Sequence, residues 1–327
     1  MTCQYKRLLL LLSVIIAISG CIHKQKAIQP KANWCDKKLR PELKTLEEIK
    51  TLEEVKTNSN WFKVYNVGHN VYALMEPYNY QEVISYLILG DEKALLFDTG
   101  MGLDSISPLV KQITPLPVTV LNSHTHYDHM GGNYEFDNIL AINTDFTKKT
   151  AANGWAHAIV KAEVTPAAFC LQRLPKTDTA NYRVKPFKIS KFIADGYILN
   201  LGNRKIKVIA TPGHAPNAIA LLDAQYGYLW TGDTFYLGPI WLFSDGTDLD
   251  AYGKSIKKLA LLAPGLQRIF PSHNLPVADP NLLVEADKAF TQIRNGTQTG
   301  TPDGDKSLSF KFDKFSYLIR TDLLSSK

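Results

Sequence analysis

The chain is poor in cysteine and histidine and lacks the marks of several protein classes. It holds four cysteines and eight histidines among 327 residues. It has no strongly basic block, so nucleic acid is not an expected partner. No G-x-S-x-G motif is present, so a serine nucleophile of that type is not indicated. With 45% hydrophobic and 21% charged residues, the composition is that of an ordinary globular protein rather than a disordered one.

The longest apolar run lies at the N-terminus, in "MTCQYKRLLLLLSVIIAISGC". Two basic residues precede an apolar stretch over residues 8–18, which is short for a membrane helix and suits a signal peptide. The small residues before Cys21 resemble the lipobox of bacterial lipoproteins. This resemblance implies a signal peptide over residues 1–20, lipidation of Cys21 and, with Ile22 following, an outer-membrane anchor facing the periplasm. A signal peptide cleaved elsewhere, or an uncleaved anchor, is the alternative.

Removal of residues 1–20 would leave 35 basic and 31 acidic side chains, a mild net charge of +4. Besides Cys21, only Cys35 and Cys170 would then remain. In an oxidising periplasm these two can form a disulfide, but two unpaired buried thiols are an equal alternative.

The segment before residue 61 differs in composition from the rest. Residues 22–41 are polar and lysine-rich, which fits a tether. The repeated unit in "KTLEEIKTLEEVKT" favours a short helix. Its apolar stripe consists of Leu46, Ile49, Leu52 and Val55. We therefore assign residues 21–60 to a tether and short helix, and residues 61–327 to one globular domain.

From residue 61 onward, short β-rich runs alternate with helical patterns. "WFKVYNVGHNVYALM", "VISYLILG", "KALLFDTG" and "VTVLNSH" predict strands, as do the later "KIKVIATPGH", "AIALLDAQYGYLWTGD" and "RIFPSH". "DSISPLVKQI", "DLDAYGKSIKKLALL" and "NLLVEADKAFTQIRNG" predict helices. Residues 145–190, which we call the insert, give mixed helical signals. "LSFKFDKFSYLI" predicts a closing β segment. The alternation indicates a layered α/β domain.

The stretch "LNSHTHYDHMGG" concentrates potential metal ligands. His124 and His126 are two positions apart at the end of an extended run, so their side chains point to the same side. Asp128 and His129 follow directly. Imidazole nitrogens and carboxylates are the ligands that zinc prefers. Four such groups within six residues exceed what one tetrahedral ion needs from a single loop, which suggests two ions.

Further ligand-type residues follow other apolar runs. Asp98 stands in "LLFD", His214 in "VIATPGH", Asp233 in "YLWTGD" and His273 in "RIFPSH". Residues at the ends of several strands of one sheet converge on one edge. Five of the eight histidines therefore fall at predicted ligand positions.

In their order, "HTHYDH", "TPGH", "TGD" and "PSH" resemble the metal motifs of the metallo-β-lactamase-fold hydrolases, and "FDTG" resembles their early aspartate motif. The resemblance covers about residue 61 to at least residue 278. It implies a four-layered αβ/βα sandwich as the fold of the hydrolase domain 61–327, with two zinc ions per chain; iron or manganese are alternatives. His124, His126 and His214 would hold one ion, Asp128, His129 and His273 the other, and Asp233 would bridge them.

The same resemblance implies a role for Asp98, which would orient the ligand loop through a hydrogen bond. A strand-end aspartate that caps a turn is the alternative. It also implies a hydrolase in which a hydroxide bridging the ions attacks the carbonyl of an ester, thioester, lactone or lactam. Asp128 would take the proton after attack or simply hold the second ion.

The substrate is less constrained. "GDTFY" is typical of the glyoxalase II and lactonase branches, and Tyr236 matches a tyrosine that lactonases place beside the carbonyl; a packed aromatic residue is the alternative. The apolar "LGPIWLFSDG" that follows lacks a basic glutathione-binding set. We expect a largely apolar small-molecule substrate in a pocket lined by Trp155, Phe169, Tyr182, Trp241 and Phe243. A β-lactamase-like antibiotic hydrolase and an iron-dependent sulfur dioxygenase are the alternative functions on this fold.

Overall fold

The computed structural model describes residues 50–170 and 174–324, which form two facing β-sheets with helices on their outer sides. The predicted signal peptide, the lipidation site Cys21 and most of the predicted tether lie outside these residues. Of the helices in the described ranges, none combines the length and the apolar character that a membrane crossing requires.

The first sheet has eight strands in chain order. Strands β1 to β5 pair antiparallel, and β5 to β8 pair in parallel. The strands are β1 (Glu53–Val55), β2 (Lys63–Gly68), β3 (Val71–Met75), β4 (Ile84–Leu89), β5 (Ala94–Phe97), β6 (Val118–Leu121), β7 (Ile139–Ile142) and β8 (Lys191–Ile193).

The second sheet has five strands, in the order β14-β12-β11-β10-β9, and is antiparallel except for the parallel pair β12 and β14. A third sheet has four strands, in the order β13-β17-β16-β15. These strands are β9 (Ile198–Asn200), β10 (Lys205–Ala210), β11 (Ile219–Asp223), β12 (Tyr228–Gly232), β13 (Gly238–Leu242), β14 (Arg268–Pro271), β15 (Thr301–Pro302), β16 (Ser307–Lys311) and β17 (Phe315–Arg320).

The helices cover the outer faces. They are α1 (Ser107–Ile113), α2 (Asp145–Asn153), α3 (His157–Val160), α4 (Leu249–Leu262), α5 (Asn281–Arg294) and α6 (Thr321–Leu324). The three helices predicted after residue 100 correspond to α1, α4 and α5. The insert contains α2, α3 and three short 3₁₀ turns, as its mixed helical signals indicated.

Three buried apolar clusters separate the layers. Alternation along β4 divides its side chains between two of them, because successive residues of a strand point to opposite faces. Tyr86 and Ile88 pack between the two sheets with Trp230, whereas Leu87 packs outward with Leu109 of α1. The third cluster lies between the second sheet and helices α4 and α5. The order helix, sheet, sheet, helix confirms the predicted four-layered α/β sandwich.

The helix predicted over "KTLEEIKTLEEVKT" is wrong at its C-terminal end. Residues Glu53–Val55 form β1, which pairs antiparallel with β2, so the first sheet begins before residue 61. Leu52 packs on the cluster between the sheets and Val55 on the outer one. A spacing of three places side chains on opposite faces of an extended chain but on one face of a helix. Strand pairing therefore overrides helix propensity here. Leu46 and Ile49 lie outside the described residues.

Candidate metal centre

Five segments that carry the predicted ligands meet at one edge of the two sheets. Each follows the carboxyl end of a strand: Asp98 follows β5, the loop 122–129 follows β6, and His214, Asp233 and His273 follow β10, β12 and β14. Because β5 pairs with β6 and β12 with β14 in parallel, these loops leave each sheet at the same end. The topology thus brings together residues that are distant in sequence.

Two glycines allow the ligand loop to pack closely on its neighbour. The amide of Gly131 donates to the carbonyl of Gly100 at 2.7 Å. A Cβ atom on Gly131 would lie only 2.1 Å from the carbonyl carbon of Met101. Gly131, in the "MGG" after the histidine motif, is therefore required by the contact between the ligand loop and the loop that follows β5.

Three imidazole nitrogens form a small triangle, which we call the three-histidine group. Nε2 of His124 lies 2.9 Å from Nδ1 of His126 and 3.1 Å from Nε2 of His214, and the latter two atoms are 3.0 Å apart. Burial lowers the pKa of all three side chains, in the case of His126 to about 3. The rings are therefore neutral at pH 7. Tetrahedral zinc ligands lie roughly 3.3 Å apart, so this spacing suits one ion.

Asp128, His129, Asp233 and His273 form a second set, the mixed group. Nε2 of His129 lies 3.2 Å from Oδ2 of Asp128 and 3.4 Å from Oδ1 of Asp233. Nε2 of His273 lies 3.5 Å from Oδ2 of Asp128 and 3.2 Å from Oδ2 of Asp233. Two carboxylates and two imidazoles thus converge on one point, a donor set that also suits zinc or iron.

Asp233 lies between the two groups. Its Oδ2 atom is 3.5 Å from Nε2 of His214 in the three-histidine group and 3.2 Å from Nε2 of His273 in the mixed group. One carboxylate therefore reaches both sets of donors. This is the position that a bridging ligand occupies.

In three of the imidazole rings, a hydrogen bond to the nitrogen that points away from the centre fixes the ring orientation. Nδ1 of His214 lies 2.7 Å from the carbonyl oxygen of Trp241, and Nδ1 of His273 lies 2.7 Å from that of Gln81. Nδ1 of His129 lies 3.0 Å from Oδ2 of Asp98. Because Nδ1 donates in each case, Nε2 presents its lone pair to the centre.

The mixed group has the opposite electrostatics to the three-histidine group. Burial lowers the pKa of His129 and His273, but the nearby carboxylates outweigh it and raise both pKa values above normal. Burial likewise raises the pKa of Asp128 and Asp233, but the imidazoles outweigh it and lower both. The carboxylates are therefore ionised at neutral pH and favour positive charge beside them, which a bound cation can supply in place of protons on the two rings.

Two buried atoms of the mixed group lack a hydrogen bond of acceptable geometry within residues 50–170 and 174–324. They are Nε2 of His129 and Oδ1 of Asp233. Buried polar atoms are nearly always satisfied, and an exception needs a partner of another kind. A metal ion accepts a lone pair from both atoms. The donor chemistry and the orphaned atoms therefore fit bound cations in both groups.

Asp98 also connects the loops around the site. Its Oδ1 accepts the amide of Ser123 at 2.6 Å, and its Oδ2 accepts the hydroxyl of Ser272 at 3.2 Å. Its own backbone has φ +66°, a conformation more common for glycine, asparagine and aspartate than for other residues. Asp98 lies behind His129 rather than among the converging donors.

Tyr236 lies beside the mixed group, but its hydroxyl is already engaged. The hydroxyl donates to the carbonyl of Pro239 at 2.6 Å and accepts the amide of Trp241 at 3.2 Å. Its ring packs on His273 with a centroid separation of 4.9 Å. The one hydroxyl proton is therefore used within the chain, and the observed contacts are those of a packed aromatic residue.

Aromatic side chains flank the three-histidine group. The rings of Phe146 and Trp155 lie 5.8 and 6.2 Å from that of His126. On the side of His214, Trp241 packs on Phe243 with ring centroids 4.7 Å apart. All four side chains are half-buried, so they can border a pocket. Two residues predicted to line the pocket do not: Phe169 and Tyr182 are 3% and 2% exposed and belong to the outer apolar cluster.

Several contacts at the site carry no sequence signal. The carbonyl oxygens of Gln81 and Trp241, which orient His273 and His214, belong to the backbone and could be supplied by any residue type. Glu163 of the insert, whose carboxylate lies beside Gln81, has no motif around it. Only the fold reveals these contacts.

Residues 82–273 match the sequence profile of the metallo-beta-lactamase superfamily. The acyl-coenzyme A thioesterase MBLAC2 of Homo sapiens is 23% identical over 237 residues, covering 65% of this chain and 81% of the relative. The hydroxyacylglutathione hydrolase of Idiomarina loihiensis is 26% identical over 203 residues, covering 62% and 65%. The solved structure of the sec-alkylsulfatase Pisa1 from Pseudomonas sp. superposes with a TM-score of 0.53 at 18% identity, covering 71% of this chain and 42% of the sulfatase, which shows a shared fold.

Proposed function

This chain belongs to the metallo-beta-lactamase superfamily and is a hydrolase, and from that premise we propose that it is a dinuclear zinc enzyme that cleaves thioesters of apolar acyl groups. The observation that carries the proposal is the position of Asp233, whose Oδ2 lies within 3.5 Å of Nε2 atoms from both ligand groups. Two similar proteins, the thioesterase and the hydroxyacylglutathione hydrolase, support thioesters as the substrate class.

In the proposed enzyme each ligand group would hold one ion. His124, His126 and His214 would hold the first, Asp128, His129 and His273 would hold the second, and Asp233 would be within reach of both. Such a pair of ions would supply a reactive water at neutral pH and polarise the substrate carbonyl. The carboxylate of Asp128 is ionised because His129 and His273 lower its pKa against the effect of burial, so it can accept a proton during hydrolysis. Asp98, Gln81 and Trp241 keep the imidazoles in their binding orientation.

The surroundings of the three-histidine group support an apolar acyl chain. Phe146 and Trp155 border it on the side of His126, and Trp241 and Phe243 on the side of His214. Aromatic surfaces of this kind hold aliphatic chains by excluding water. The segment 237–246 forms β13 and the following turn and supplies no basic side chain for an anionic leaving thiol, so this side of the site favours recognition of the acyl chain.

The test is a substrate panel on the full-length protein, extracted in detergent and loaded with zinc. The panel contains a long-chain acyl-coenzyme A, lactoylglutathione, an acyl-homoserine lactone, a cephalosporin and an aryl ester. We expect two zinc ions per chain and the highest kcat/KM on the acyl-coenzyme A. A preparation that binds no metal, or that turns over the lactone or the cephalosporin but no thioester, would refute the proposal.

We further propose that the enzyme is anchored by a lipid on Cys21 to the outer membrane and faces the periplasm. The support is the N-terminal sequence pattern, which lies outside the described residues. Labelling cells with a fatty acid and fractionating their membranes tests it. We expect label on the wild-type protein and none on Cys21→Ser, which should leave the membrane fraction. Equal labelling of the two proteins would contradict the anchor.

A further inference from the structure

A polar cluster beside the mixed group joins the insert to the ligand loops. We call Tyr80, Gln81, Tyr127 and Glu163 the insert cluster. The carboxylate of Glu163 accepts hydrogen bonds from the hydroxyl of Tyr80 and, at 2.9 Å, from Nε2 of Gln81. The hydroxyl of Tyr127 accepts a further hydrogen bond from Nε2 of Gln81 at 3.1 Å. The side-chain amide of Gln81 thus joins the carboxylate of the insert to the ligand loop.

Two members of the insert cluster are directly connected to metal-ligand candidates. The backbone carbonyl of Gln81 accepts the hydrogen bond from Nδ1 of His273 at 2.7 Å. Tyr127 lies between His126 and Asp128 in the ligand loop and so neighbours one candidate from each group. His273 belongs to the mixed group. The hydrogen bond between the insert cluster and a candidate ligand therefore leads to the mixed group.

The insert is fastened to the same segment through its backbone. The amide of Tyr80 donates to the carbonyl of Ala168 at 3.0 Å, and the amide of Cys170 donates to the carbonyl of Tyr78 at 3.0 Å. Nδ2 of Asn79 donates to the carbonyl of Glu163 at 3.0 Å. These bonds hold the 3₁₀ turn Lys161–Val164 against residues 78–81, so the Glu163 carboxylate has a fixed position.

Glu163 differs from an ordinary structural carboxylate because its hydrogen-bond partner Gln81 is itself bonded to a candidate metal ligand, His273. Moving Gln81 would move the carbonyl that selects the tautomer of His273 and directs its Nε2 to the centre. That displacement weakens the ion site of the mixed group, whereas His214 of the three-histidine group is oriented by the carbonyl of Trp241 instead.

We propose that Glu163 is a positioning residue that sets the affinity of the mixed group for its metal ion, acting through Gln81 on His273. The proposal rests on the dinuclear site of the proposed function but not on the identity of the substrate. Under this proposal the insert controls the binding affinity for the second ion, whether or not the insert also contacts the substrate. Outer hydrogen bonds to metal ligands are worth about 10- to 100-fold in metal affinity, and an effect of that size is expected here.

The experiment compares Zn²⁺ binding by the full-length wild-type protein and its Glu163→Gln variant. The metal-free proteins, in detergent, are titrated against a competing chromophoric chelator, which reports two affinities. The amide of Gln keeps one acceptor oxygen but places an N–H₂ group among the donors, so the cluster must rearrange. We expect the affinity for one of the two ions to be unchanged and the affinity for the other to fall by about 10-fold or more. Tyr127→Phe, which removes only a hydroxyl that accepts from Gln81, should weaken the same ion less.

The matched control is Glu135→Gln. Glu135 is also a half-buried carboxylate that accepts hydrogen bonds, from the amides of Ser107 and Ile106, but no bond connects it to His273 or Asp128. We expect it to bind both ions as the wild type does. Unchanged affinities in Glu163→Gln, or equal losses at both sites or in the control, would overturn the role of Glu163. A wild-type protein that binds fewer than two ions would instead overturn the dinuclear site.

Discussion

The Oδ2 atom of Asp98 lies 3.0 Å from Nδ1 of His129, and this contact decides which nitrogen of the ring faces the metal centre. Because the carboxylate accepts the Nδ1 proton, Nε2 is the nitrogen that faces the converging donors. His129 is completely buried, and its Nε2 has no hydrogen bond of acceptable geometry among the described residues. The contact thus converts a buried imidazole into an oriented donor.

Asp98→Asn should therefore weaken metal binding without removing a converging donor. The amide cannot accept the Nδ1 proton and the amide of Ser123 equally well, so His129 loses its fixed orientation. We expect metal affinity to fall by about 10- to 100-fold, measured by chelator competition. Addition of excess zinc should restore most of the hydrolysis. Wild-type affinity in this variant would show that Asp98 only caps the turn after β5.

His126→Ala removes one corner of the three-histidine group. Two imidazoles do not complete a zinc site, so we expect loss of one bound ion and of detectable hydrolysis, with a circular dichroism spectrum like that of the wild type. The control is His69→Ala, because His69 stacks on Tyr226 and belongs to neither ligand group. Normal turnover by His126→Ala would refute the assignment of the site.

Tyr236→Phe tests whether the hydroxyl serves the fold or the substrate. The hydroxyl bonds Pro239 and Trp241 in the structure, so its removal should lower the free energy of unfolding by about 1 kcal/mol. The ring still packs on His273, and turnover should stay near the wild-type rate. Chemical denaturation and steady-state kinetics measure the two effects. A large fall in kcat with unchanged stability would instead place the hydroxyl at the substrate carbonyl.

Glu76 gives the fold a pH dependence of its own. Burial raises its pKa from 4.5 to about 7, although the indole of Trp61 and the amide of Met101 donate to it and partly oppose the shift. An acid whose pKa is raised by folding favours the folded state below its unfolded pKa, and this contribution is lost as the pH rises from 4.5 to about 7.

Glu76→Gln stays neutral at every pH and should not lose stability over this range. Between pH 4.5 and 8 we expect the wild type to lose about 3 kcal/mol relative to the variant, as measured by urea denaturation of the metal-free proteins. Parallel stability curves for the two proteins would show that the carboxyl titrates normally.

Cys170 is disulfide-bonded, and its partner lies outside the described residues. We predict that the partner is Cys35. Nonreducing peptide mass analysis should find the Cys35–Cys170 cross-link, and Cys35→Ser should leave Cys170 free to react with a thiol reagent. Loss of the bond should cost about 2–4 kcal/mol of stability. Recovery of both cysteines as free thiols would exclude the bridge.

Sequence alone identified the ligand-type residues because each follows an apolar run and because "HTHYDH" concentrates four of them in one loop. Such patterns are local and can be recognised without knowledge of the fold. Strands β2 to β6, β10 to β12 and β14 and helices α4 and α5 were predicted for the same reason, since the alternation and the helical period are visible within a few residues.

Only the tertiary structure decided which atoms meet. The extended segment Glu53–Val55, despite its helical composition, gains its hydrogen bonds from β2, a partner that no local pattern reveals. The hydroxyl of Tyr236 is committed to a strand that follows it, and the histidines are oriented by backbone carbonyls of Gln81 and Trp241. Glu163 contacts Gln81, whose carbonyl orients His273, because the insert folds back on residues 78–81. These contacts depend on which distant segments lie next to one another in the fold. The local sequence around each residue does not determine that.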